Sequence, residues 1–196
     1  MNDQTIEEEI KPSAISGRSF KEYCKLLGYE AETGNDFIDK RILDVGIGNS
    51  TFARYVNANF ETAEVIGMDE RQIKQMASGF GEVHEPKELE FPQAQLVKGD
   101  VRSLPFADES FDEVISSNLK QYVLSKEALV KITKEMIRVC RKGGKIRITP
   151  SLLTGHNRFT KDELLGIIGK ENFELSELEI PSYETTKGTT ILTRLQ

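Results

Sequence analysis

Gly46 and Gly48 stand one residue apart in the stretch RILDVGIGNSTF, directly after the run Ile42, Leu43, Asp44, Val45. Glycine at both positions permits a tight turn and lets a ligand approach bare backbone. Two further acids close apolar runs in the same manner: Asp69 ends AEVIGMD and Asp100 ends AQLVKGD. A carboxylate at the end of the second run can accept two hydrogen bonds from ribose hydroxyls. One at the end of the third can accept a hydrogen bond from an exocyclic amine such as that of adenine. Taken alone, each acid is equally an N-cap or a solvated loop residue. Three such features meeting at one crevice point to a nucleoside site.

The ligand is not expected to be a dinucleotide. The fingerprint G-x-G-x-x-G needs glycine at position 51, where helix and strand pack closely over a pyrophosphate. Position 51 is Thr. A ligand without a pyrophosphate does not need that glycine.

The elements that must position these residues follow from periodicity. Phe20, Tyr23, Cys24 and Leu27 have the spacing of an amphipathic helix, with Gly28 at its end. RILDV reads as a strand buried on both faces. A helix from about Ser50 follows, with Phe52, Tyr55 and Val56 on its inner side. AEVIGMD is the second strand, RQIKQMASG a helix ending at Gly79, AQLVKGD the third strand and FDEVISS the fourth. A helix from Lys126 to Arg141 starts at an N-cap, Ser125, and carries Leu129, Ile132, Met136 and Val139 as its stripe. RKGGK turns the chain into a fifth strand, KIRIT. Thr160 and Glu163 form a capping box, and Phe159 with Leu164 a hydrophobic staple. NFELSELEI and GTTILTRL close the chain as a strand pair. Strands separated by helical segments predict an open α/β sheet with helices on both faces and a crevice at the carboxyl ends of its strands.

Composition bounds the rest. A chain of 196 residues suits one domain. We read residues 1–15 as loose, 16–37 as an N-terminal helical cover and 38–196 as the core. The net charge of −6 argues against a nucleic-acid partner. The acidic N-terminus has no apolar core of a signal peptide, and no apolar run approaches the ~18 residues of a membrane span. Cys24 and Cys140 are expected as buried thiols, consistent with a cytoplasmic protein. Arg138, Arg141, Lys142 and Lys145 read as solvated surface at the edge opposite the crevice.

The segments ILDVGIGNS, VIGMDE, VKGDVRSLPFADESFDEVISSN and MIRVCRKGGKIRIT, in this order, resemble the class I S-adenosylmethionine-dependent methyltransferases, especially the compact small-molecule branch. The resemblance runs from about Arg41 to Thr149. It implies a Rossmann-like open sheet of seven strands, mostly parallel with an antiparallel last strand. It implies S-adenosylmethionine as cofactor, with Gly46, Ile47 and Gly48 along its methionine part and Asp44 helping to fix the loop. Asp69 would hold the ribose, and Glu70 next to it would also contact the cofactor. Asp100 and Val101 would frame the adenine, and Asn118 and Leu119 would face the methionine and the methyl. Ser50 replaces a common loop glycine and is expected to cap the helix that follows. The usual proline before the fifth strand is absent; Lys142 precedes Gly143-Gly144.

Methyl transfer from a sulfonium is an in-line displacement that alignment accelerates, needing neither a nucleophilic side chain nor a metal. The absence of a triad or of a metal-spaced cluster weighs against a hydrolase. His156 and Tyr122 are the candidates for acid/base or substrate contact, each equally an ordinary loop or core residue; His84 reads as solvent-facing. Enzymes that methylate nucleobase or amide nitrogens carry an Asn/Asp-Pro-Pro-aromatic run after the fourth strand, whereas this chain has Asn118-Leu119-Lys120-Gln121. That favours a small-molecule acceptor. The segments 18–27, 150–158 and 181–188 are placed to build its pocket. Two alternatives stay open from the sequence: a catalytically silent protein of the same fold, and a nicotinamide-dependent oxidoreductase.

Overall fold

The computed structural model describes residues 20–30, 34–48, 52–69, 95–123, 125–180 and 188–196. Seven strands form one sheet in the order β3-β2-β1-β4-β5-β7-β6. They are β1 (Arg41–Val45), β2 (Glu64–Asp69), β3 (Gln95–Lys98), β4 (Phe111–Ser117), β5 (Cys140–Thr149), β6 (Phe173–Leu178) and β7 (Thr189–Arg194). β1 pairs in parallel with β2 and β4, β2 with β3, and β4 with β5. β7 is antiparallel to both β5 and β6. This is the Rossmann-like sheet anticipated from the sequence, with its antiparallel last strand.

Side-chain alternation along the strands builds two separate cores. Ile42, Val65 and Ile115 point to the face covered by α1 (Phe20–Leu27) and α2 (Phe52–Asn59), where they join Tyr23, Cys24, Phe37, Phe52 and Val56. Leu43, Val45, Ile66, Met68, Val114, Ile146 and Ile148 point to the face covered by α3 (Lys126–Val139) and α4 (Lys161–Ile168). The expected helix starts hold where they are described. The Ser125 hydroxyl accepts from Ala128 N–H, and Thr160 with Glu163 forms the reciprocal capping box. Phe159 and Leu164 lie in the same apolar cluster. Cys24 and Cys140 are buried free thiols, and burial pushes each up to about 12.

The α1 face carries charge as well. Glu113 of β4 and Arg147 of β5 pair at 2.9 Å with side-chain exposures of 3% and 6%. Tyr29 donates to Glu113 at 2.8 Å, and Lys40 closes a second ion pair with it. Burial would raise the Glu113 carboxyl, but Arg147 and Lys40 outweigh it and hold the group below its usual range. Arg147 also donates to the carbonyls of Leu27 and Gly28, at 3.0 and 3.4 Å, which fixes the C-terminal end of α1 to the sheet.

Four expectations are corrected. First, α3 ends at Val139 and β5 begins at once at Cys140. RKGG is a bulge inside that strand, because Phe111 pairs with Cys140 while Glu113 pairs with Lys145. Second, β3 ends at Lys98 rather than at Asp100, and it is a short edge strand with partly exposed residues. Third, no helix separates β3 from β4; residues 99–110 form turns. Fourth, Arg138 is not merely solvated: it braces that connection from α3. It donates to the carbonyls of Leu104 and Phe106 and pairs with Asp108 and Glu135. Glu135 in turn accepts from Leu104 N–H. Side-chain pairing does here what a helix would otherwise do. The helix expected over 71–79, His84, and Ser50 with Thr51 lie outside the described residues.

Candidate functional site

β1 and β4 are sheet neighbours, yet β1 leads on to β2 on one side while β4 leads on to β5 on the other. The strand order therefore reverses between them, and the carboxyl ends of strands at such a reversal are where open α/β sheets bind their ligands. The glycine turn leaves β1 there. Gly46 and Gly48 have φ of +73° and +57°, the left-handed region that favours glycine. The N–H groups of Gly46 and Ile47 both donate to Met68 O, at 2.8 and 3.1 Å. Gly48 N–H donates to Asp69 Oδ2 at 3.0 Å. The turn is thus folded back onto the end of β2 by three hydrogen bonds.

The opposite wall comes from β4. Asn118 follows the strand with φ of +68°, a conformation asparagine tolerates better than most residues. Its N–H donates to Thr149 O at 2.6 Å, joining the ends of β4 and β5. A one-turn 3-10 segment, Leu119–Tyr122, comes next. Leu119 lies directly over Gly46: a Cβ built on Gly46 would sit 3.1 Å from Leu119 Cδ1. Bare backbone at position 46 is what lets the two walls approach.

Asp44 is fully buried at the end of β1, on the α1 face. Burial pushes its carboxyl up to about 7, the Tyr23 hydroxyl draws it down, and Asp69 adds an upward push. Asp69 is itself largely buried. Asp44 and Asp69 therefore interact electrostatically beneath the turn, and Asp44 adds negative charge there only in its ionised form.

The structure brings together Asp44, Gly46, Gly48, Asp69 and Leu119, with Asn118 beside them. Ile47 is a buried anchor of the turn; its side chain occupies the space a Cβ on Gly67 would need. Val101 belongs to the apolar core with Val45 and Met68. Asp100 is exposed beyond β3, and its carboxylate accepts from Arg102 Nε, Nη2 and backbone N–H, which hold it below its usual range. Gly99 N–H donates to Asp69 O at 3.1 Å, so this loop adjoins the end of β2. Glu70 lies outside the described residues. His156 is exposed in the loop after β5. Tyr122 ends the 3-10 turn, and its side chain lies outside the described set.

Two residues near the crevice were not singled out as site residues from the sequence. Lys120 is 5% exposed, and its Nζ donates to Ser151 O at 2.6 Å and to Thr154 O. It ties the β4 side of the crevice to the loop after β5, and burial lowers its ammonium to about 8. Tyr23 was legible only as part of an apolar stripe. The signal available was its hydroxyl, since a buried tyrosine O–H needs a partner.

The comparisons with known proteins bear on family and fold. The family model described as a methyltransferase domain matches residues 42–144. A malonyl-[acyl-carrier protein] O-methyltransferase of Methylococcus capsulatus is 35% identical over 106 residues, 54% of this chain and 35% of that protein. A phosphatidylethanolamine N-methyltransferase of Cereibacter sphaeroides is 33% identical over 123 residues, 63% of this chain and 53% of that protein. The chain thus spans about a third to a half of the length of these relatives. Among solved structures, an S-adenosylmethionine-dependent methyltransferase of Clostridium acetobutylicum superposes with a TM-score of 0.63 at 11% identity, over 92% of this chain and 94% of that one. The magnesium protoporphyrin IX methyltransferase of Synechocystis, solved with S-adenosylmethionine bound, gives 0.62 at 12% identity, over 89% and 79%. At such identities the structural matches speak to fold, whereas the family model covers more than half of the chain. The chain belongs to the class I S-adenosylmethionine-dependent methyltransferase family.

Proposed function

We propose that this protein transfers a methyl group from S-adenosylmethionine to a small-molecule acceptor. The observation that carries the reading is the left-handed Gly46–Gly48 turn at the strand-order reversal, hydrogen-bonded to Asp69 and faced by Leu119. The residues present fit the cofactor. The turn offers bare backbone to its methionine part, and the Asp44–Asp69 pair offers negative charge to a ligand that carries a sulfonium and an ammonium. When bound, S-adenosylmethionine supplies an activated methyl group.

In this reading Gly46, Ile47 and Gly48 shape the methionine side, Asp69 holds the ribose with Glu70 next to it also contacting the cofactor, and Asp100 with Val101 borders the adenine. Asn118 and Leu119 face the methyl. The chain's task is to hold acceptor, methyl and sulfur in line and to exclude water, which is where most of the acceleration of such a displacement arises. The acceptor lies against α1 and residues 150–158; residues 181–187, also expected there, lie outside the described residues. The relatives' names speak of acyl-carrier-bound malonyl, phospholipid and quinone precursors as their acceptors, which supports a small molecule or lipid over nucleic acid. The net charge of −6 points the same way. No helix among the described residues is long and apolar enough to cross a membrane, and two buried thiols suit a cytoplasmic protein organised as one domain.

Calorimetric titration with S-adenosylmethionine and with its demethylated product tests the reading. Both are expected to bind, and at a 100-fold excess over Kd each stabilises the fold by about 2.7 kcal/mol. No heat from either ligand, with clear binding of a nicotinamide dinucleotide, overturns it.

A further inference from the structure

We infer that Tyr23, on α1 and outside the matched methyltransferase domain, is a positioning residue of the cofactor site, which holds the Asp44 carboxylate in its binding form. Its hydroxyl lies 2.8 Å from Oδ1 and 2.9 Å from Oδ2 of Asp44. Both side chains are buried, at 2% and 0% exposure. Its ring stacks on Phe52, the first residue of α2, with centroids 4.8 Å apart and an interplanar angle of 25°. Tyr23 therefore grips both elements that flank the glycine turn, the end of β1 and the start of α2.

The helix that carries it is anchored independently at its other end. Arg147 donates to the carbonyls of Leu27 and Gly28, and Thr189 Oγ1 donates to Leu26 O at 2.5 Å. The tyrosine is thus delivered to Asp44 from a fixed support, and the site is incomplete without α1.

The groups facing Asp44 fix what its hydroxyl does. From α1 there is Tyr23 and from β2 there is Asp69. From β4 the registered neighbour is Ile115, and from β2 it is Gly67. Phe52 closes the side toward α2 through its contact with Tyr23. Among the described residues no cation pairs with Asp44. Burial and Asp69 both favour the neutral acid, and the Tyr23 hydroxyl opposes them. A cationic cofactor binds the ionised form better. Removing the hydroxyl therefore makes binding more sensitive to acid.

This rests on the proposed cofactor site at the glycine turn. The test is the pH dependence of S-adenosylmethionine Kd, from pH 5.5 to 9, for wild type, Tyr23→Phe and Asp44→Asn. Wild-type affinity is expected to fall as pH drops through about 7. In Tyr23→Phe that fall moves up by about one pH unit, roughly a fivefold loss at pH 7 that is regained at pH 9. Asp44→Asn is expected to show a flat profile. Should Tyr23→Phe fail to fold, Tyr23→3-fluorotyrosine keeps the shape with a more acidic phenol and moves the fall downward instead. A Tyr23→Phe profile that overlays wild type, or a loss equal at every pH, overturns the inference while leaving the cofactor site standing. Wild type that binds no S-adenosylmethionine, or Gly46→Val that binds it normally, overturns the site and the inference with it.

Discussion

The backbone N–H of Gly48 donates to the carboxylate of Asp69 at 3.0 Å, so the turn after β1 is held by the last residue of β2. The two residues proposed for opposite parts of the cofactor are therefore one mechanical unit.

Asp69→Ala removes both a ribose acceptor and the tie to the turn. A hydrogen bond to a charged group contributes roughly 1.5–3 kcal/mol, which corresponds to a loss of affinity of about 10- to 150-fold. Titration with S-adenosylmethionine and with its 2′,3′-dideoxyribose analogue separates the two roles. Wild type is expected to discriminate against the analogue and the variant hardly at all. A variant that discriminates as strongly as wild type shows that the ribose is held elsewhere.

Gly46→Val places a β-branched side chain at φ of +73°, with its Cβ 3.1 Å from Leu119. The backbone strain alone costs roughly 1–3 kcal/mol. Cofactor binding is expected to vanish while the fold persists. Gly143→Val is the control: it has φ of +75°, nothing within 4 Å of its Cβ, and lies in the bulge at the far end of β5. It is expected to lower Tm comparably and leave Kd unchanged.

Asp44→Asn separates stability from function. The native carboxyl is raised from 3.8 to about 7, so the native state binds the proton more tightly than the unfolded chain. That contribution is fully present below the unfolded value and is lost as pH rises through about 7. Melting unliganded wild type and variant from pH 5 to 8 checks this. The Tm of Asp44→Asn is expected to gain steadily on wild type up to about pH 7 and to level off by pH 8. A constant difference across the range refutes the buried-acid account.

Arg147→Met breaks a buried ion pair and leaves Glu113 with Lys40 and Tyr29. Because Lys40 still pairs with Glu113, the loss is expected to stay below the about 3–5 kcal/mol of a buried charge left without a partner. The double variant Arg147→Met/Glu113→Gln is expected to recover part of it in denaturant melts, because the buried charge that lost one of its two cations is gone. A strictly additive double variant contradicts the pairing.

Lys120→Met removes the donor shared by the Ser151 and Thr154 carbonyls. Faster hydrogen exchange over residues 151–158 is expected, with S-adenosylmethionine Kd within about twofold of wild type. Unchanged exchange shows that Lys120 does not hold the loop.

The strands, the helix caps and the glycine turn were legible in the sequence because each rests on local chemistry. RILDV followed by Gly46 and Gly48 needs only a short apolar run and two residues free to adopt positive φ. Thr160 with Glu163 needs only three residues of spacing. What the sequence could not determine were contacts between residues distant along the chain. Tyr23 meets Asp44 across 21 residues and Glu113 meets Arg147 across 34; neither pairing has a local signature. The same holds for Arg138, read as surface and found bracing the β3–β4 connection, and for RKGG, which became a bulge because β5 had to regain register with β4. Local propensity selects the elements, but only the packed sheet decides which buried polar groups face each other, because burial obliges each to find its partner wherever the fold brings one within reach.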